Sequence, residues 1–186
     1  KTTKEERARL VYIIPMFIAV SFTLLVNYQA TTVLAIYAET NVNRNLFGFE
    51  ITPAAYWTLN AFFAVIFGAV LTGIWEKLGK KQPSTPAKMG IGTALYGISI
   101  LFMIIPFKLF PSDVKVSPMW LVVFFAIMTI GEAIVTPAGE SAASHVAPAA
   151  FSTQMMTVWA MGQSTGASLS SLVVNFYREG SESLYF

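Results

Sequence analysis

Cysteine is absent from the 186 residues, which excludes disulfides and thiolate metal sites within them. Histidine occurs once, at His145, and one histidine cannot supply a zinc triad. Charge is scarce. Asp, Glu, Lys and Arg together make up 12% of the chain, against about 25% in an ordinary soluble domain. There is no GxxxxGK[ST] phosphate loop and no HExxH, and no run interleaves basic with aromatic residues as a nucleic-acid surface does. An intramembrane serine protease needs a serine and a base at matched depth, and His145 lies too near a helix end for that. The expectation is a protein with no catalytic residues, no metal, no organic cofactor and no nucleic-acid partner, and therefore not an enzyme.

Apolar side chains fill the space that the charges leave. The chain is 55% hydrophobic, with fifteen Phe and eight Met. The charges are also segregated: residues 10–38, 51–75, 89–107 and 118–130 contain no Asp, Glu, Lys or Arg. A bilayer is spanned by about 20 residues at a rise of 1.5 Å each, so the class that fits is an all-α membrane protein in a lipid bilayer. Five spans are expected, at about 10–38, 53–75, 87–106, 118–146 and 151–177. Pro53, Pro86 and Pro118 stand at helix starts, where a missing N–H costs least. Residues 1–9 read as the end of a cytoplasmic linker, and 178–186 as an extracellular tail or the start of a last helix. The final ESLYF also admits a reading as the remnant of a protease tag.

Orientation follows from Lys and Arg. Lys1, Lys4, Arg7, Arg9, Lys77, Lys80, Lys81 and Lys88 fall on one side, and Arg44, Lys108, Lys115 and Arg178 on the other. The richer side, with the N-terminus and loop 76–86, is expected in the cytoplasm of a multi-pass protein of the cell membrane. Trp57, Trp75 and Trp120 fall near span ends, as an interfacial belt requires.

The polar residues within the spans are the candidate site. Glu132 lies about 14 residues into the fourth span, roughly 21 Å along its axis. An ionised carboxylate at that depth costs several kcal/mol unless it faces a partner or a water-filled cavity. Thr136 and Glu140 follow at four-residue steps, so all three project from nearly one face. Pro137 frees the carbonyl of Ala133, and Gly131 and Gly139 permit bending. Such a helix suits the wall of a cavity; the alternative is a buried structural hydrogen bond from Glu132 to a neighbouring helix. Glu140 reads either as a snorkelling interfacial acid or as half of a gate ion pair. The first span carries Asn27, Tyr28, Gln29, Thr31 and Thr32 midway. Asn60 is alone in the second, and Trp159 sits mid-helix in the fifth. Amides within spans either tie helices together or line a substrate path.

These segments resemble a family. GEAIVTPAGES, then VAP, then FSTQMMTVWAMGQSTG, is similar to the tenth and eleventh helices of proton-dependent oligopeptide transporters of the major facilitator superfamily, with their G-E-x-x-x-S-P-x-G-x-S pattern. NYQATTVLAIYAE resembles the seventh helix, ITPAAYWTLNAFFAVIF the eighth, and KQPSTPAKMGIG the loop into the ninth. The resemblance covers nearly the whole chain in order and implies five helices forming most of a C-terminal six-helix half-bundle.

The resemblance implies a proton-coupled symporter for di- and tripeptides, working by alternating access. Protons are the coupling ion, and small peptides and an N-terminal half are the partners. It places Glu132 and Asn60 on the peptide's amino terminus, Trp159 at a side-chain pocket near the gate, and Thr136, Gln29, Tyr28 and Asn27 along the site. Tyr28 stands where the family often has a coupling acid, Ala61 follows Asn60 where Pro is usual, and Glu140 replaces an apolar residue. Proton coupling is therefore expected through Glu132 or through acids in the other half. Two alternatives stay open: a carrier for another solute such as nitrate, a sugar or a drug, and a non-transporting scaffold in which Glu132 and Asn60 pack with no cavity beside them.

Overall fold

The computed structural model describes residues 11–46, 48–110, 114–147, 152–178 and 185. Within them lie five long helices: α1 Ile13–Thr40, α2 Pro53–Leu78, α3 Thr85–Leu109, α4 Met119–Val146 and α5 Ser152–Val173. The first four are long and apolar enough to cross a membrane. Twenty-eight residues in α1 extend about 42 Å, more than the roughly 30 Å hydrocarbon core of a bilayer. Pro53 occupies the first turn of α2 and Pro86 that of α3, while Pro118 directly precedes α4.

The fifth helix differs in kind, being far more polar than the other four. Its hydroxyls are satisfied within the helix: Ser164, Thr165, Ser168 and Ser171 each donate to the carbonyl four residues earlier, at 2.8 to 3.2 Å. That local bonding lets a polar helix lie among apolar ones. The α-helix stops at Val173 and tightens into a 3₁₀ turn, Val174–Phe176, short of the expected end at 177.

Two connections also depart from the expected open loops. Loop 76–86 is mostly helical, because α2 continues to Leu78 and a 3₁₀ turn, Gly79–Lys81, follows. Gly79 adopts φ +48° at the junction, a conformation that glycine takes without steric cost. The 39–52 connection holds a small antiparallel hairpin, β1 Asn45–Leu46 paired with β2 Phe49–Glu50, with Arg44 and Glu50 ion-paired at 2.8 Å. The same connection bridges to the loop before α4 through Asn43 N–H to Val116 O (2.9 Å) and Val116 N–H to Asn41 O (2.8 Å). The segments 1–9 and, apart from Tyr185, 179–186 lie outside the described residues.

Helix α4 is the hub and packs on the other four, most closely on α3. The reason is the absence of side chains at their crossing. A Cβ on Gly131 would stand 2.8 Å from Gly92 O, and one on Gly92 2.7 Å from Val135 Cβ, so only glycine permits this approach. Val33, Leu34, Tyr96, Met103, Leu121, Phe124 and Met128 form the core between α1, α3 and α4. Helix α2 is peripheral: Phe62, Val65, Ile66, Val70 and Ile74 are exposed along it.

Candidate functional site

Only Tyr56 and Asn60 are buried in α2. A polar residue buried on an otherwise exposed apolar helix requires a partner, and Asn60 has two, both on α4. Its Nδ2 donates to Glu132 Oε2 at 3.2 Å, and its Oδ1 accepts from Thr129 Oγ1. Thr129, three residues before Glu132 and so on the same face, is fully buried and also reaches Phe125 O at 2.6 Å. Glu132 is half-buried. Among the described residues no cation pairs with it, so its carboxylate keeps acceptor capacity beyond the one bond from Asn60.

That capacity faces a cavity of about 460 Å³ between α2, α3 and α4, which Glu132 and Thr136 both line. The cavity runs toward Ser141, nine residues or about 14 Å further along α4, and its wall there includes Trp75 and Lys88. Lys88 is held in place, donating to Gln82 Oε1 at 2.7 Å and lying 4.4 Å over the Trp75 ring. A scaffold with Glu132 packed against partners and no space beside it is not what the structure contains.

The first-helix residues divide between two neighbours, because positions two apart on a helix face away from each other. Asn27 is half-buried and lies beside the hydroxyl of Tyr96 on α3, which in turn lies near Glu132. Gln29 is buried on the side of α5, where its Nδ-equivalent amide nitrogen, Nε2, donates to Ser170 O (3.0 Å) and Ser170 Oγ (2.9 Å). Its Oε1 accepts from the Tyr185 hydroxyl at 2.5 Å. Gln29 is thus a tie between α1, α5 and Tyr185, separate from the Glu132 cluster. Tyr28 is 43% exposed. Thr31 and Thr32 donate to its carbonyl at 2.9 and 2.8 Å.

Trp159 is buried on α5 with its indole N–H unpartnered, its ring lying directly on Gly139 of α4. Glu140 is exposed next to Gly139 in sequence, and His145 is exposed in the last turn of α4. The structure therefore brings together Glu132, Asn60 and Thr136, links Asn27 to them through Tyr96, and sets Gln29, Trp159 and Glu140 apart. Sequence reasoning missed Thr129 and Tyr96. The signal for Thr129 was a hydroxyl one helical turn before the only acid in the span's apolar stretch.

Comparison with known proteins follows the same lines. A model of the POT family matches residues 1–185. The uncharacterized transporter YclF of Bacillus subtilis (strain 168) is 36% identical over 186 residues, covering all of this chain and 38% of that protein. A di-/tripeptide transporter of Lactococcus lactis subsp. cremoris is 35% identical over 190 residues, again all of this chain and 38% of the other. The crystal structure of a peptide transporter POT in complex with sulfate superposes with a TM-score of 0.93 at 35% identity, over 100% of this chain and 37% of that one. The chain spans about 38% of the length of the curated relatives that it matches.

Proposed function

Because the chain belongs to the POT family, a family of multi-pass membrane proteins, we propose that it is part of a proton-coupled symporter for di- and tripeptides working by alternating access, in which it supplies the acidic and amide side of the peptide site. The observation that carries this reading is Glu132: a half-buried carboxylate at mid-helix, oriented by a buried amide and open to a 460 Å³ cavity. Such a group suits a peptide's ammonium, which offers three donors and a positive charge. Two relatives bear the name di-/tripeptide transporter, which supports the substrate class. No Lys or Arg lies within the apolar stretch of any span, so the cation for the peptide's carboxylate comes from the N-terminal half. A site at the interface of two repeats near the midplane is the usual transporter arrangement.

Glu132 is also the proton-coupling residue in this reading, since Tyr28 cannot carry out that exchange from the seventh-helix position. Thr136 lines the peptide path, Asn27 and Tyr28 approach it from α1, and Trp159 with Glu140 serves the gate at the Lys88 end, which faces the cytoplasm. Gln29 contributes by holding α1 against α5.

The test is uptake of labelled dialanine into liposomes containing the full-length protein, with and without an inward proton gradient. Gradient-driven uptake is expected in the wild type and is lost in Glu132→Gln, while that variant still inserts. Wild-type rates in Glu132→Gln would remove Glu132 from the mechanism, and wild-type liposomes that ignore dialanine would move the substrate to another class.

A further inference from the structure

We infer that Glu132, Asn60 and Thr129 form a hydrogen-bond chain whose direction reverses when Glu132 takes up a proton, and that Thr129 is the positioning residue that makes both directions available. The inference rests on the proposed role of Glu132 as the proton- and peptide-binding acid, and it adds a residue which that role does not itself require.

At Thr129 protons and acceptors are mismatched. The Thr129 hydroxyl has one proton, and two acceptors lie within its reach: Asn60 Oδ1 and Phe125 O at 2.6 Å. Asn60 is an amide with a donor end and an acceptor end, held between Thr129 and Glu132. Thr129 is fully buried and Asn60 is 9% exposed, so bulk water does not substitute for either partner.

With Glu132 ionised, each donor has one place to go. Asn60 Nδ2 donates to Glu132 Oε2, Thr129 donates to Asn60 Oδ1, and the spare acceptor, Phe125 O, retains its place in the helix ladder. Both contacts of this arrangement are present in the structure, beside the alternative one from Thr129 to Phe125 O. A coupling proton arriving at Glu132 forms an O–H bond and removes the negative charge. The new O–H then donates to Asn60 Oδ1 once the amide turns by half a revolution. Asn60 Nδ2 now donates to Thr129 Oγ1, and Thr129 sends its proton to Phe125 O. Donors and acceptors balance in both states, and no other proton leaves the cluster. The amide thus presents a donor to the cavity side when Glu132 is charged and an acceptor when it is neutral.

The groups that face Glu132 do not compete for this role. Helix α3 brings Tyr96, which lies beside Asn27, and Lys88, which shares the cavity but is bonded to Gln82. Helix α2 brings Asn60; its charged residues, Glu76 and Lys77, lie near its far end and do not line the cavity. Residues 13–38 of α1 and all of α5 contain no Asp, Glu, Lys, Arg or His.

The experiment measures dialanine uptake by the full-length protein in liposomes across external pH, for wild type, Thr129→Val and Thr129→Ser. Thr129→Val is expected to raise KM about three- to tenfold, the ordinary effect of losing one buried hydrogen bond, with kcat within about twofold. It should also move the pH at which KM changes downward, because the reversed amide would point N–H donors at methyl groups, a costlier defect than an under-satisfied oxygen. Thr129→Ser should restore both quantities. An unchanged KM, or a uniform loss of rate at every pH with the profile intact, overturns the inference. Infrared difference spectra of the wild type with side-chain-labelled asparagine, recorded between acid and neutral pH, need no Thr129 variant to fold. An asparagine amide band moving together with the carboxylic-acid band that Glu132→Gln abolishes supports the chain, and a static amide band overturns it. Those bands also separate the two readings: coupled bands without dialanine uptake would sink the substrate assignment and leave the chain standing.

Discussion

Asn60 is the residue on which the site turns. It spans from a largely exposed helix to Glu132, the acid that among the described residues lines the cavity. Replacing it with alanine removes a hydrogen bond to a carboxylate and leaves the Thr129 hydroxyl only Phe125 O, so Asn60→Ala is expected to raise KM for dialanine about 10- to 100-fold; an unchanged KM would show that Glu132 is oriented by something else. Gly139 offers a second test at this scale. A Cβ there would overlap the Trp159 ring, and overpacking a tight contact costs about 1–3 kcal/mol. Gly139→Ala should lower the melting temperature followed by tryptophan fluorescence, and an unaltered melt would mean that Trp159 has room to withdraw. Glu132 and Asn60 were legible in the sequence because a polar group in an apolar run is expensive and therefore needs a reason. Thr129 was not, since a threonine in a span ordinarily bonds its own helix and reads as neutral. Gln29 and Asn27 look alike on paper. Only their separation of two positions, about 200° around a helix, sends one to α5 and the other to α3.

Among the elements, the α3–α4 pair is the one held by the absence of side chains. Gly92 and Gly131 meet backbone to backbone, and a larger residue at either forces the two helices apart across their whole contact. Gly92→Val is expected to destabilise the bundle by several kcal/mol, visible as lost monodispersity and a lower melting temperature in detergent. Gly90→Ala, two positions away with open space at its Cβ, is the control and should change neither. The charge-free runs made the four apolar helices legible, and the proline positions marked three of their starts. The ends were harder to read. A charge-free run records the hydrocarbon stretch, whereas a helix continues through the interface, as α2 does past Glu76 and Lys77 to Leu78. The polar character of α5 was visible in its serines, but their satisfaction by the preceding turn required coordinates. The hairpin of two-residue strands gave no alternating pattern long enough to detect.

The bundle turns large apolar side chains outward on two helices: Phe62, Val65, Ile66, Val70 and Ile74 on α2, and Ile14, Ile18 and Phe22 on α1. Under the proposed assignment part of this surface meets the N-terminal half. The isolated 186-residue chain is therefore expected to self-associate in detergent, and a stable monomer by sedimentation would count against that partner. The proposed direction in the membrane is equally testable, since these 186 residues contribute no cysteine and any in the remainder of the protein can be replaced first. In the full-length protein, Ser84→Cys should react with an impermeant thiol reagent only from the cytoplasmic side and Ser117→Cys only from outside; the reverse pattern would invert the topology. The two ends also differ in how they are fastened. The hairpin, its Arg44–Glu50 pair and the Val42–Val116 bridge lock the first and third interhelical connections into one piece. Spectroscopic labels at Asn45 and Lys115 should therefore keep a constant separation throughout the transport cycle. The pair would serve as an internal ruler against which every other displacement can be measured, and the hairpin as a landmark for an antibody fragment that reports the pose of the bundle without disturbing the site.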